Sequence, residues 1–162
     1  MWKTPEDLTS PTIGFIPILD SFLRFHRGII LKVTLDIISL KVCPNVDHLI
    51  FSLDTDHIQH FVLKLPFTYP PFRLPNFFFY CSALRHLYLM EYEIQFPCFS
   101  QGFNKLIRLK LKYVTLSSNK FESLISNNPL LEDLVLKDID NPYLMSINAP
   151  KLRSFVFHGD IH

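Results

Sequence analysis

The sequence predicts an α/β solenoid, a stack of coils with a curved parallel β-sheet on the concave side and short helices and irregular loops on the convex side. Three observations predict it. Leu-x-x-Leu-x-Leu occurs three times, as Leu84, Leu87, Leu89, then Leu106, Leu109, Leu111, then Leu131, Leu134, Leu136. The same spacing continues in other apolar residues, as Ile30, Val33, Leu35, as Ile58, Phe61, Leu63 and as Leu152, Phe155, Phe157. The six starts, at residues 30, 58, 84, 106, 131 and 152, are separated by 28, 26, 22, 25 and 21 residues. All five steps fall in the roughly 20–29-residue period of leucine-rich repeats.

The last two apolar residues of each set lie two apart, so they share one face of a short β-strand. The first lies three residues upstream, where the chain turns into the strand. One unit cannot bury its leucines alone, and stacking like units makes a leucine-rich-repeat solenoid of about six repeats. A lone Leu-x-x-Leu-x-Leu is common in an apolar chain; six in series at a permitted period are not.

Composition narrows the function. The 162 residues are 48% hydrophobic and 19% charged, with a mean hydropathy of +0.19, so the chain has the apolar content to bury one core. The net charge of +1 offers no broad field for nucleic acid or anionic lipid. Three cysteines, Cys43, Cys81 and Cys98, form neither an even set nor a C-x-x-C pair. Their usage points to a reducing compartment, cytoplasmic or nuclear. Met1–Ser10 lacks the pattern of a signal peptide, and no run reaches the roughly 18 apolar residues of a membrane span.

In chain order, residues 1–15 are turn-rich and expected to be irregular, and residues 16–162 form the repeat domain. Pro17–His26 reads as a helix, with Pro17 in its first turn, Gly28 at its exit and Ile18, Leu19, Phe22, Leu23 and Phe25 as its buried face. It is placed to cover the edge of the first strand, Ile30–Leu35. A second helix is expected at Asn45–Leu53, from Val46, Leu49, Ile50 and Leu53, followed by a strand at Ile58–Lys64. Pro66, Pro70, Pro71 and Pro75 make Leu65–Tyr80 an irregular return whose aromatics Phe77–Tyr80 fill the space between repeats. Strands at Leu84–Met90 and Leu106–Lys112 precede a helix capped by Ser117 or Ser118, with Phe121, Leu124 and Ile125 inward and a stop at Asn127-Asn128-Pro129. The last two strands are Leu131–Leu136 and Leu152–Phe157, and the absence of a polar cap before His162 suggests a truncated array.

Catalytic chemistry has little support. There is no G-x-S-x-G, H-E-x-x-H or Gly-rich phosphate loop, so no enzyme activity and no cofactor is expected. The best metal candidate is Asp54, Asp56, His57 and His60 with His48 nearby, and a polar turn explains these residues equally well. Asp138 and Asp140 suit turn chemistry at a strand exit, and His158 and His162 flank Gly159-Asp160 near the terminus. Binding, in contrast, has an address. The residues alternating with the core positions face the concave surface: His60, Val62 and Lys64; His86, Tyr88 and Met90; Arg108, Lys110 and Lys112; Asp133, Val135 and Lys137; Ser154, Val156 and His158. A basic centre flanked by aromatic and Met side chains suits a protein partner with acidic groups. The competing reading is a solvated face whose lysines keep the strands soluble.

Four runs carry a family resemblance: Arg73-Leu74-Pro75-Asn76-Phe77-Phe78-Phe79-Tyr80-Cys81-Ser82-Ala83-Leu84-Arg85-His86-Leu87-Tyr88-Leu89, Gly102-Phe103-Asn104-Lys105-Leu106-Ile107, Asn128-Pro129-Leu130-Leu131-Glu132-Asp133-Leu134-Val135-Leu136 and Ile147-Asn148-Ala149-Pro150-Lys151-Leu152. Over roughly residues 20–162 the chain resembles the leucine-rich repeats of plant F-box/LRR proteins, including the F-box/FBD/LRR group. Cys81 fits the slot where that family often starts a repeat with Cys, and it reads as a small buried residue. The resemblance implies substrate-holding repeats of a ubiquitin-ligase receptor, whose F-box would dock a Skp1-type adaptor. Met1–Phe15 is too short for an F-box, with Trp2-Lys3-Thr4 as a candidate linker remnant, and no FBD-like region follows His162. A Skp1-type adaptor is therefore not an expected partner; an unidentified protein, such as a ubiquitination substrate, is. The alternatives are an inactive or unstable repeat fragment and, more remotely, a metal protein or hydrolase using His57 and His60.

Overall fold

Four of the repeats enter their strands through the same turn. The amide of Leu84 donates to the Cys81 carbonyl, Leu106 to Phe103, Leu131 to Asn128 and Leu152 to Ala149, at 2.8–3.3 Å. This three-residue closure places the first leucine of each set ahead of the strand, pointing inward. In the computed structural model, which describes residues 11–38, 52, 53, 55–68, 70–74, 81–94, 103–140 and 146–159, the strands therefore start about two residues later than the spacing suggests. They are β1 (Lys32–Asp36), β2 (His60–Lys64), β3 (Phe72–Arg73), β4 (His86–Glu93), β5 (Arg108–Thr115), β6 (Asp133–Lys137) and β7 (Ser154–His158).

All described pairings are parallel, in the order β1-β2-β4-β5-β6-β7, with β3 attached to the far end of β4. The register is in step from coil to coil: Leu35, Leu63, Leu89, Leu111, Leu136 and Phe157 form one line. Between coils a single carbonyl accepts two successive amides of the next repeat. Leu31 takes Gln59 and His60, Gln59 takes Arg85 and His86, Arg85 takes Ile107 and Arg108, Ile107 takes Glu132 and Asp133, and Glu132 takes Arg153 and Ser154. This ladder satisfies backbone groups that the parallel sheet leaves over at each strand entrance.

The leucine ribbon is the core. Ile58, Phe61, Leu63, Leu84, Leu87, Leu89, Leu106, Leu109, Leu111, Leu131, Leu134 and Leu136 are buried, as are Val33 and Leu35. Four expected core residues are not. Ile30 and Leu152 are half-buried, while Phe155 and Phe157 are 48% and 44% exposed. They keep the core register, but β7 has no described strand on its outer side to complete their burial.

Helix α1 spans Pro11–Phe25 and contains Pro17. It begins at Pro11, so part of the segment expected to be irregular is helical, and Pro17 lies inside the helix rather than in its first turn. Among its described side chains Leu19 and Leu23, one turn apart, pack on the core, whereas Ile18, Phe22 and Phe25 are exposed. An i, i+4 pair lies on one face of a helix, so these two side chains reach the core together. Helix α2 spans Ser118–Ser126, and Phe121, Leu124 and Ile125 face the core as their spacing requires. Ser117 holds its N-cap position, but the hydroxyl donates to Asn119 Oδ1 instead of capping the helix. Asn128 closes the other end: its amide Nδ2 donates to the Leu124 carbonyl. The helix expected at Asn45–Leu53 lies almost wholly outside the described residues, as do Phe77–Tyr80, His48, Asp54, Cys43 and Cys98.

The return expected to be irregular holds one short strand. β3 pairs Phe72 with Tyr92 and Arg73 with Glu93. Its partner exists because β4 and β5 run on past the leucine motif, pairing Tyr92 with Val114 and Glu93 with Thr115. The extension turns on a column of left-handed residues, Glu91 (φ 66°), Tyr113 (φ 50°) and Asp138 (φ 51°). Strict alternation would send these side chains inward. The positive φ rotates them out and sends Tyr92, Val114 and Ile139 into the core instead.

Candidate partner-binding face

The side chains opposite the ribbon form a grid that the register sets. One row runs Lys32, His60, His86, Arg108, Asp133, Ser154 across the sheet; the next runs Thr34, Val62, Tyr88, Lys110, Val135, Val156; the third runs Asp36, Lys64, Met90, Lys112, Lys137, His158. Every expected concave-face residue from His60 to His158 thus lies on one surface. Ser154 and His158 lie on its last described strand and are exposed. Lys32, Thr34 and Asp36 of β1 belong to the same grid and were not among the expected residues, although they alternate with Val33 and Leu35 in the same way.

Local pairing sorts the charges. Lys64 Nζ meets Asp36 Oδ2 at 2.8 Å, and Arg108 Nε meets Asp133 Oδ2 at 2.6 Å. The hydrogen bond it donates to Asp36 holds the Lys64 ammonium above its ordinary pKa. Lys110 Nζ instead sits 4.3 Å over the Tyr88 ring, with Lys64 Nζ at 5.7 Å from the same ring. Desolvation, then repulsion from Lys137, Lys64 and Lys112, pulls Lys110 below the usual lysine value. His60 and His86 meet edge to face with centroids 4.2 Å apart. Desolvation, with the His60 and Arg108 charges, keeps the His86 imidazole below the ordinary histidine value. The paired rings beside Arg108 make this corner a patch of aromatic surface and donors.

Two shallow hollows break the face. One, of about 450 Å³, is floored by Tyr88 and Lys110 between the histidine pair and Val135. The other, of about 650 Å³, lies among Lys112, Lys137, His158, Tyr113 and Phe157. Beyond the left-handed column a third groove of about 840 Å³ opens between Phe67, Tyr113, Glu91, Glu93, Asp138 and Asp140. Burial raises the Glu91 carboxyl above its ordinary pKa. This acidic rim was not anticipated, since Asp138 and Asp140 were read as turn residues. Its trace in the sequence is a second apolar pair, Tyr92 and Ile94, then Val114 and Leu116, three and five residues past the last leucine of each motif.

The metal candidate does not assemble among the described residues. His57 is exposed in the turn before β2, His60 packs on His86, and no group of three His, Cys, Asp or Glu side chains there is placed to hold an ion. No helix among the described residues is long and apolar enough to cross a membrane.

A parallel sheet with a buried aliphatic ribbon on one side and an open, side-chain-rich grid on the other defines a leucine-rich-repeat solenoid. A family model described as the LRR repeats of FBD-associated F-box protein At5g56370 matches residues 46–161. The chain belongs to that family of plant F-box/LRR-like proteins. It is 34% identical to F-box/FBD/LRR-repeat protein At1g13570 of Arabidopsis thaliana over 173 residues, covering 98% of this chain and 41% of that protein. It is 29% identical over 175 residues to FBD-associated F-box protein At5g56370 of Arabidopsis thaliana, with the same two coverages. The chain thus spans about two fifths of the length of the curated relatives it matches. No solved structure matches it.

Proposed function

We propose that the chain is a non-enzymatic protein-recognition module, the substrate-holding repeats of a ubiquitin-ligase receptor of the F-box type, working in the cytoplasm or nucleus. One observation carries the reading. Six strands in common register present rings, lysines and small hollows on the face the core does not use. A face made only for solubility has no need to seat Lys110 on Tyr88 or His60 on His86, since desolvating a lysine and a histidine costs free energy in the unbound state. The relatives' printed names place such repeats in F-box proteins, which supports the ligase context. The cytoplasmic or nuclear placement rests on the cysteine usage.

The test grafts the chain onto an adaptor-docking F-box and follows which cellular proteins become ubiquitinated. A set of proteins should lose abundance with the native face and be spared when Lys110→Glu and Lys112→Glu are introduced together. Loss of the same set with both versions would refute recognition through this face.

A further inference from the structure

Past the concave grid the sheet changes charge. Glu91, Tyr113 and Asp138, the left-handed residues, each follow a member of the third grid row, Met90, Lys112 and Lys137. Two residues further on, Glu93 pairs with Thr115, and the Thr115 hydroxyl donates to Asp140 Oδ2 at 3.0 Å. The groove of about 840 Å³ is therefore lined by two rows, each with a carboxylate on either side of a central Tyr or Thr. Neighbouring strands lie about 4.8 Å apart, so the flanking columns stand about 10 Å apart, with room for one extended chain between them. Phe67, which is 79% exposed, and Pro71 add apolar surface to the same groove.

We infer that this groove docks an extended basic segment of a partner protein, with cationic side chains two residues apart. The spacing follows from the rows. A segment lying along the strand direction presents the same face at every second residue, and the rows recur at the same interval. One cation then falls between Glu91 and Asp138, and the next between Glu93 and Asp140. The groove lies off the concave grid, so it is a second contact surface, of opposite charge to the lysine-rich one.

The chain's own cations show what the groove accepts. Arg73 Nε meets Glu93 Oε2 at 3.3 Å, and Lys112 Nζ lies 4.7 Å from the centre of the Tyr113 ring. Among the described residues Glu91, Asp138 and Asp140 form no ion pair. Burial lifts the Glu91 carboxyl above its ordinary pKa, a cost that an entering cation offsets. An arginine has the further advantage of a plane that stacks on an exposed ring such as Phe67. No three His, Cys, Asp or Glu side chains among the described residues are placed to hold a metal ion, so the groove suits cations carried on a chain. Nucleic acid, with a charge every few ångströms, is repelled by the same carboxylates.

The experiment titrates the isotope-labelled chain with acetyl-Arg-Ala-Arg-amide, with its isomer acetyl-Arg-Arg-Ala-amide, with acetyl-Glu-Ala-Glu-amide and with putrescine, a dication of equal charge. Amide NMR shifts are the readout, and in the unsubstituted chain they locate the site directly. The spaced peptide should give saturable shifts centred on Glu91, Tyr113, Thr115 and Asp138. It should bind about fivefold more tightly than its isomer, the worth of one exposed ion pair, and the acidic peptide should move nothing. Glu91→Gln with Asp138→Asn should abolish saturation while the thermal melt stays cooperative, and Glu122→Gln with Glu132→Gln should leave it unchanged. Equal binding of the two isomers, equally tight binding of putrescine, or shifts centred on the concave grid each overturns the inference. Such a failure removes the groove as a docking site and leaves recognition through the concave face to its own test with Lys110→Glu and Lys112→Glu.

Discussion

Cys81 and Asn128 occupy the same place in two coils of the stack, accepting the turn that opens a strand, and each shows what that place demands. Cys81 is 2% exposed, and burial pushes its thiol up to about 11 from an ordinary value of 9.0. The thiolate is the reactive form, so in a Cys43→Ser, Cys98→Ser variant a thiol reagent at neutral pH should label Cys81 only as fast as the chain unfolds. Linkage gives the sign with pH. Below about pH 9 both folded and unfolded chains keep the proton; between about 9 and 11 only the folded chain does. Stability should therefore fall as pH rises through that window, and the fall should be smaller in Cys81→Ala. Asn128, 1% exposed, uses its amide to close α2 onto Leu124. Asn128→Ala leaves the Leu124 carbonyl short of that donor, and urea denaturation should show a loss of about 1–3 kcal/mol. Retention of full stability would mean that the helix end finds its partner elsewhere.

Elements were legible to the degree that their periods were uninterrupted. The five-residue strands and α2 follow from alternation and from i, i+3, i+4 spacing, and they appear where those patterns are clean. β3 and the extensions of β4 and β5 were not legible, because Glu91 and Tyr113 break the alternation by one residue. A period-2 reading stops at such a break, whereas the chain only turns. The acidic rim of the groove was missed for the same reason. Left-handed backbone costs an ordinary residue about 1 kcal/mol or more, and aspartate and asparagine tolerate it better than β-branched residues. Asp138→Val should therefore destabilise the fold by about 1–2 kcal/mol, while Asp138→Asn should be close to neutral in the same denaturation assay. Equal effects would show that the φ value is not what selects aspartate there. Helix α1 was legible in kind but not in extent. Its apolar residues surround it, and packing against the core selects Leu19 and Leu23 over Ile18, Phe22 and Phe25.

The whole molecule is a sum of neighbour contacts, so a residue's worth depends on its position along the stack. Leu109 lies between two strands on the ribbon and is 1% exposed. Phe155 keeps the same register on β7 but is 48% exposed. Leu109→Ala should cost about 2–5 kcal/mol, and Phe155→Ala well under half as much despite the larger side chain removed. Leu19 and Leu23 of α1 pack against the core, whereas Phe155 and Phe157 of β7 keep the core register but remain about half exposed. The concave grid depends on the stack as well. Its rows exist only because coils of 21 to 28 residues all return their strands to one register.

That common register is most directly tested by cross-strand nuclear Overhauser contacts in the labelled chain. The parallel stack predicts Hα-to-amide contacts that join the neighbourhoods of Val62, Tyr88, Lys110, Val135 and Val156 in one unbroken line across five strands. Contacts joining any of these strands antiparallel, or in another order, would contradict both the solenoid and the recognition face built on it.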